Sequence, residues 1–299
     1  MSSTLQGAEA LQTTAAPEPK RRRRLDGGNG GTNWWLTALI AVCSLTVLLP
    51  LYFTIVPALK GPDQLGGTGF SLPTEWAWGN FAEAWRTIDF PARALNTAFI
   101  TVGAVVLTLV TNSMVSYAIA RQMHRPLFKA LFYYFIAALF IPFPVLMLPA
   151  AKQAAILGLD NPGGLILLYT VYGLSFNVFL YTAYIRSIPV ELEEAARIDG
   201  ASTWGVFWKV VFPLLAPINA TVGILTCVWA WNDFLLPLVI ISDPDGATIQ
   251  LAQYVFQGQF SADYTLAFSS YLMAMLPLLV VYLVAQRWVI SGVTRGAIK

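Results

Sequence analysis

The sequence predicts an all-α, polytopic membrane protein with six transmembrane helices, and three observations carry that expectation. Of 299 residues, 57% are hydrophobic and only 11% are charged, with a mean hydropathy of +0.61, whereas a soluble globular chain carries roughly 25% charged residues. Six apolar runs, at 34–59, 94–120, 128–151, 164–185, 217–241 and 266–290, reach the length of about 20 residues that a helix needs to cross a bilayer. The basic residues gather between alternate runs, as expected where loops alternate between the two sides of a membrane.

Residues 1–33 are rich in Ser, Thr, Pro and Gly, hold the run Lys20-Arg21-Arg22-Arg23-Arg24, and carry few large apolar side chains. Such a segment cannot bury enough surface to offset its ordering entropy, so a disordered tail is expected. Its basic run has two readings, a topogenic signal held on the cytoplasmic side or a patch for anionic lipid. The next apolar run exceeds the ~7–15 residues of a signal-peptide core and no A-x-A site closes it, so it is expected to stay as an anchor.

Lys20 to Arg24 in the tail, Arg121, Arg125 and Lys129 after the second run, Arg186, Arg197 and Lys209 after the fourth, and Arg287, Arg295 and Lys299 at the end make 14 of the 18 basic residues. A six-span arrangement puts all of them on one side, leaving Lys60, Arg86, Arg93 and Lys152 elsewhere. By the positive-inside rule both termini and the loop at 187–217 are cytoplasmic. The chain then divides into a tail (1–33), a first helix with its outer loop (34–93) and a core module (94–299).

The outer loop at 60–93 sets Trp76, Trp78, Phe81, Trp85 and Phe90 among prolines and glycines. An interfacial aromatic belt and a lid that receives a delivery protein both fit that composition. A second outer loop, 242–265, carries Asp243, Asp245 and Asp263 and no basic residue.

The third run contains Pro142, Pro144 and Pro149, so its outer half is not expected to be a regular helix, and carbonyls freed there must be buried in protein or meet water. Tyr169, Thr170, Tyr172, Ser175 and Asn177 in the fourth run, and Ser269 and Ser270 in the sixth, read first as helix–helix contacts. Asp233 is the only acid inside a run and comes directly after Asn232. Burying an ionisable group there is costly unless it faces a partner or a wet cavity, so the pair is a candidate site. It lies about fifteen residues beyond Pro217, or ~22 Å from the cytoplasmic side at ~1.5 Å per residue. Lining a path and stitching two helices together are both open to it.

Residues 187–217 are the one long stretch of the second half in which acids and bases occur together between apolar runs. Pro189 suits a first helical turn, and Glu191, Glu193 and Glu194 complement the positive end of a helix dipole. Gly200 supplies a stop. Leu192, Ala195 and Ala196 share one face, beside an i, i+4 pair of Glu193 and Arg197. A second helical pattern starts after Ser202 as N-cap, sets Trp204, Phe207, Trp208 and Val211 on one side, and is expected to close at Pro213.

The order Glu194-Ala195-Ala196, three residues, Gly200, nine residues, then Val210-Val211-Phe212-Pro213 resembles the EAA loop of ABC importer permeases, with Val210 for the usual Ile and Phe212 for Leu. Trp231-Asn232-Asp233-Phe234-Leu235, with Pro237-Leu238 after it, is similar to a stretch of sugar-importer permeases, and residues 248–251 with Tyr264 resemble their loop facing the binding protein. Asn96-Thr97 stands where that family has Asn-Ser. Gly292 to Lys299 resembles the tail of maltose-type carbohydrate permeases, one glycine short. The resemblance covers about 96–299 and, more loosely, the chain from Trp34.

It implies a type I ABC importer permease in a bacterial or archaeal inner membrane, carrying a sugar, oligosaccharide or polyol. Glycerol phosphate or a polyamine is the alternative load. Glu194, Ala195, Ala196, Asp199, Gly200, Phe207 and Pro213 would couple the chain to an ATPase, which Thr294, Gly296 and Lys299 of the tail would also reach. Trp231, Asn232 and Asp233 would line or gate the path. The implied partners are a second EAA-type permease, two ATP-binding cassette subunits that hold ATP and Mg, an extracytoplasmic solute-binding protein, and membrane lipid. No cofactor or nucleic acid is expected on this chain.

No catalytic set competes. The sequence has no GxxxxGK[ST] phosphate loop and no GxSxG elbow. His124 has no acid or cysteine cluster beside it, and Cys43 and Cys227 fall within apolar runs, so no metal site is indicated. An ion-coupled secondary transporter would use Asp233 as its ion site, but the internal repeats of such folds are not evident.

Overall fold

Prolines punctuate a chain of helices. In order these are α1 (Trp34–Ala58), α2 (Gly79–Thr87), α3 (Phe90–Arg121), α4 (Pro126–Ala138), α5 (Phe143–Ile156), α6 (Pro162–Ile185), α7 (Glu191–Ile198), α8 (Thr203–Val206), α9 (Phe212–Leu214), α10 (Ala216–Asn232), α11 (Leu235–Ile240), α12 (Ile249–Ala252) and α13 (Tyr264–Ala297). Proline occupies the first or second position of α3, α4, α5, α6, α9 and α10, where its missing N–H costs nothing. The computed structural model describes residues 33–66, 71–258 and 263–297, with side chains through Val284 in the last stretch. The expectations for the tail with its Lys20 to Arg24 run, for Lys299, and for the contacts of Thr294 and Gly296 lie outside the described residues.

Among those residues, α1, α3, α6 and α13 are each long and apolar enough to cross a membrane. Two bent pairs bring the number to the expected six if each is one span: α4 with α5, bent by 107°, and Thr203–Leu214 with α10, bent by 75°. The irregular third span is thus a break at 139–142, where Pro142 caps α5 and Pro144 opens it. Pro149, by contrast, sits inside α5, where it removes only one helix bond. The helix expected to close at Pro213 continues through it to Leu214, because Pro213 falls in the first turn of α9. The run 217–241, expected to be continuous, is interrupted: Asp233 is extended (φ −75°, ψ 132°) between α10 and α11.

The chain falls into two units, Met1–Leu49 and Pro50–Lys299. In the second, α3 packs along α6 and α10, and three buried clusters order the interior. One joins α2, the start of α3 and the first turns of α13 through Ala84, Ile88, Phe90 and Leu266. A second, with Ile100, Leu165, Tyr169 and Ile240, joins the middle of α3 to α6 and α11. The third gathers Tyr117, Tyr181, Ile185, Phe207 and Val211 where α3 and α6 end.

Side-chain clamps on backbone carbonyls hold the first of these ends together. Asn80 donates to the carbonyls of Ala58 and Lys60, both at 2.9 Å. Arg93 donates to the carbonyls of Pro244 and Asp245 at 2.8 and 2.9 Å, and Asn96 to those of Asp245 and Ala247 at 2.7 and 3.2 Å. The Thr97 hydroxyl accepts the Ile249 N–H at 2.9 Å. The Asn96-Thr97 pair is therefore the attachment point for the turn that leads into α12.

Candidate functional site

The cytoplasmic loop anticipated at 187–217 folds as a short amphipathic helix, a turn and a second helix. Helix α7 opens after Val190, whose carbonyl accepts from Glu193 and Glu194 N–H at 2.9 and 3.1 Å; Pro189 lies just ahead of that cap. It ends in a Schellman turn: Gly200 at φ +86°, its N–H on the Arg197 carbonyl at 3.0 Å, and the Ala201 N–H on the Ala196 carbonyl at 2.9 Å. Ser202 then caps α8, accepting the Gly205 N–H at 3.2 Å.

One side chain anchors this helix to the bundle. Glu193 is 1% exposed, and its carboxylate accepts from the Tyr117 hydroxyl at 2.6 Å and from Arg121 Nε at 2.7 Å. Arg121 also donates to the Ile188 carbonyl at 3.1 Å, and Arg197 lies 3.9 Å from Glu193 across one turn. The inward face of α7 is thus Glu193 with half-buried Ala196, not the stripe of Leu192 and Ala195, which points outward. The sequence reads Glu193 as an acid that complements the helix dipole and pairs with Arg197, and Arg121 only as a topological charge. The available signal was Glu193 sharing a face with Ala196 at i, i+3; a small residue there lets the helix approach α3.

Of the candidate coupling residues, Glu194, Ala195, Asp199, Gly200 and Pro213 are exposed, beside exposed apolar Leu192, Ile198 and Trp204, with Ile198 at 86%. Phe207 is instead a core residue, its ring 5.4 Å from that of Tyr117 and 5.9 Å from Phe212. The side expected to hold Trp204, Phe207, Trp208 and Val211 is split: Phe207 and Val211 are buried, Trp204 exposed. Trp208 is exposed as well, and a π-helical turn runs over Phe207–Val211.

The three residues 231–233 do not form one site. The Trp231 indole donates to the Ala274 carbonyl at 3.1 Å, fixing α10 to α13. Asn232 is exposed and bonds back to the Val228 carbonyl at 2.8 Å. Asp233 alone faces a cavity of about 670 Å³, together with Phe143, Tyr172, Ser175, Trp229 and Leu235. Its carboxyl accepts from the Tyr169 hydroxyl and from the Leu235 N–H, both at 3.0 Å, so it both joins α6 to the broken helix and meets open space. The break at 139–142 lines the same cavity through Leu139 and Ile141. Aromatic rings line the cavity: Phe143 and Tyr172 lie edge to face at 5.6 Å, and Trp229 is backed by the buried Tyr169 ring at 5.2 Å, also edge to face. Replacing Tyr169 by phenylalanine leaves the buried ring in place and removes its bond to Asp233. A loss of about 1 kcal/mol or more is expected, read as a lower unfolding temperature of the purified protein.

Among the described residues no group of three or more His, Cys, Asp or Glu could hold a metal ion. Membrane-length helices around an aromatic cavity, with a charged helix pinned to one end by a buried carboxylate, define a multi-pass membrane transport subunit. The chain belongs to the family of binding-protein-dependent transport system inner membrane components, which it matches over residues 112–295. It is 35% identical to the multiple sugar-binding transport system permease protein MsmG of Streptococcus mutans, over 89% of this chain and 97% of the relative. It is 34% identical to the melibiose/raffinose/stachyose import permease protein MelC of Bacillus subtilis, over 88% of this chain and 96% of the relative. Its fold matches a chain in the crystal structure of a bacterial ABC transporter that imports the acidic polysaccharide alginate, with a TM-score of 0.72 and 23% identity over 85% of this chain and 95% of that one. The chain is an integral membrane permease subunit of an ABC importer, and not an enzyme.

Proposed function

We propose that the chain carries a sugar, an oligosaccharide or a polyol into the cytoplasm. It would do so as one of two permeases, driven by two ATP-binding subunits that hold ATP and Mg, and fed by an extracytoplasmic solute-binding protein. The observation that carries this reading is the placement of two attachments on one rod. Helix α3 binds the α7 anchor Glu193 through Tyr117 and Arg121 near its end and grips the loop before α12 through Arg93, Asn96 and Thr97 near its start. Its 32 residues make a span of about 48 Å, enough to join the two faces of a membrane. With the basic residues on the cytoplasmic side, both termini and α7 lie inside. Exposed Glu194, Ala195, Asp199 and Gly200, with half-buried Ala196, would dock on an ATPase, with the tail residues Thr294, Gly296 and Lys299 beside them.

Closure of the ATPases on ATP would then move α7, and α3 would pass that movement to the outer loop and to the cavity at Asp233, switching access from one side to the other. ATP must favour one of the two states for this to do work. The names of the relatives support a carbohydrate load. The cavity beside Asp233 has no Lys or Arg in its lining, which disfavours glycerol phosphate.

The test is the reconstituted complex carrying Gly200→Pro, since proline cannot adopt φ +86° and the Schellman turn must open. The expected result is loss of uptake and of the ATPase in a pull-down, with the permeases still inserted and paired. Unchanged uptake, with no ATPase copurifying even with the native protein, would overturn the reading.

A further inference from the structure

The break between α10 and α11 stands between two cavities. Asp233 and Leu235 face the larger one, while Phe234, the residue between them, lines another of about 330 Å³ with Gln250, Gln253, Tyr254, Gln257 and Tyr271. Gln250 lies in α12, Gln253 opens the 3₁₀ turn Gln253–Phe256 and Gln257 follows that turn, and all three line this cavity. Gln253 is 2% exposed, and neither its amide oxygen nor its amide nitrogen has a hydrogen-bond partner among the described residues. Its neighbours are already fixed: Gln257 donates to the Tyr271 hydroxyl at 3.1 Å, and the rings of Phe234 and Tyr254 lie 5.4 Å apart in a tilted pair.

We propose that this cavity is a binding subsite for a single neutral sugar unit. A primary amide offers two donors and one accepting oxygen, which complements two adjacent hydroxyls, each able to donate and accept. A buried amide with neither end satisfied is costly, and filling the site removes that cost. The rings of Phe234 and Tyr254 offer an apolar wall for the C–H face of the sugar, in the usual pattern of an apolar pocket with a few orienting polar groups. No Asp, Glu, Lys or Arg lines the cavity, so a charged solute would shed its hydration there without a counter-charge. The volume lies at the small end of ligand pockets, enough for one ring rather than a chain. The subsite adjoins the α12–α13 loop, so with α7 on the cytoplasmic side it opens to the outer face and precedes the cavity at Asp233. The inference rests on the sugar-importer reading and names the residues that would first receive the load.

The experiment is saturation-transfer NMR on the assembled complex in lipid nanodiscs. Methyl α-D-glucopyranoside, methyl α-D-galactopyranoside and melibiose serve as neutral probes, and glucose 6-phosphate as the charged control. Transfer is expected to at least one neutral probe and not to the phosphate. Gln253→Leu, which keeps the shape and removes both polar atoms, is expected to abolish it, and Gln250→Ala at the half-buried rim to lower it severalfold. Because Gln253→Leu removes an unsatisfied amide, it is expected to leave the unfolding temperature unchanged or raised. Transfer equal to native in both variants, transfer to the phosphate as strong as to the neutral probes, or no transfer in the native complex would overturn the subsite and leave Gln253 as a packing or water-binding residue. Uptake by the native complex with its binding protein separates the two levels. Sugar uptake with unaltered KM in both variants refutes the subsite alone; absence of any sugar uptake refutes the importer reading with it.

Discussion

Replacing Glu193 by alanine is expected to cost about 3–5 kcal/mol and to abolish coupled transport, because it strands a partner charge in the interior. The Arg121 side chain is only 18% exposed, and the Glu193 carboxylate 2.7 Å away is its one acidic contact among the described residues; the Tyr117 hydroxyl would lose its acceptor at the same time. With the anchor gone, α7 keeps its Schellman turn but loses its hold on α3. Thermal unfolding of the purified permease measures the first effect, and ATPase activity that no longer responds to substrate measures the second. Glu193→Gln keeps an accepting oxygen and is expected to cost less, about 1–3 kcal/mol. Removing both charges, as Glu193→Leu with Arg121→Met, is expected to recover part of the loss, a coupling that a double-mutant cycle reads directly. Strict additivity of the two single changes would refute the anchor.

The second large effect is expected at Gly164. Helix α5 ends in a Schellman turn of its own, with Gly158 at φ +65° and the Leu159 N–H on the Ala154 carbonyl at 2.8 Å, and the chain then enters α6 under an Asn161 cap. A Cβ at Gly164 would run into the carbonyl group of Leu159. The obstacle is backbone, so no rotamer change relieves it, and Gly164→Ala is expected to cost about 3 kcal/mol, the upper end of overpacking effects. Gly79, where a Cβ meets nothing within 4 Å, is the control: alanine there is expected to be neutral or slightly stabilising. Equal unfolding temperatures for the two variants would contradict the packing described at the α5–α6 junction.

The spans were legible because their signal is the sum of some twenty apolar side chains, which one or two irregular residues cannot hide. Gly200 and Ser202 were legible for a different reason, since a stop and a cap are local and depend on one residue each. What could not be read was direction. The residues 231–233 are adjacent, yet one faces α13, one the exterior and one the cavity, because the helix ends inside the triplet and an extended residue does not continue its rotation. For Glu193 the local signals, a helix dipole and Arg197 one turn on, say nothing of its burial, which depends on Tyr117 and Arg121, 76 and 72 residues away. The same holds for Asn96 and Thr97, whose partners lie 149 to 152 residues on. Such pairings leave no periodic trace.

The π-helical turn at Phe207–Val211 holds one residue of slack between α7 and α10. A π turn holds one residue more than an α turn, and each residue of an α-helix advances the facing by about 100° and the axis by ~1.5 Å. Deleting one residue between Phe207 and Val211 would let the segment relax to a plain α-helix that completes its turn with one residue fewer, leaving Trp204, Ser202 and everything before them facing nearly as they do now relative to α10. The exposed face of α7 and the pairing of Glu193 with Arg121 would then be kept. Between α7 and α10 the chain therefore behaves like a telescoping joint, which can give up one residue without turning what lies on either side of it.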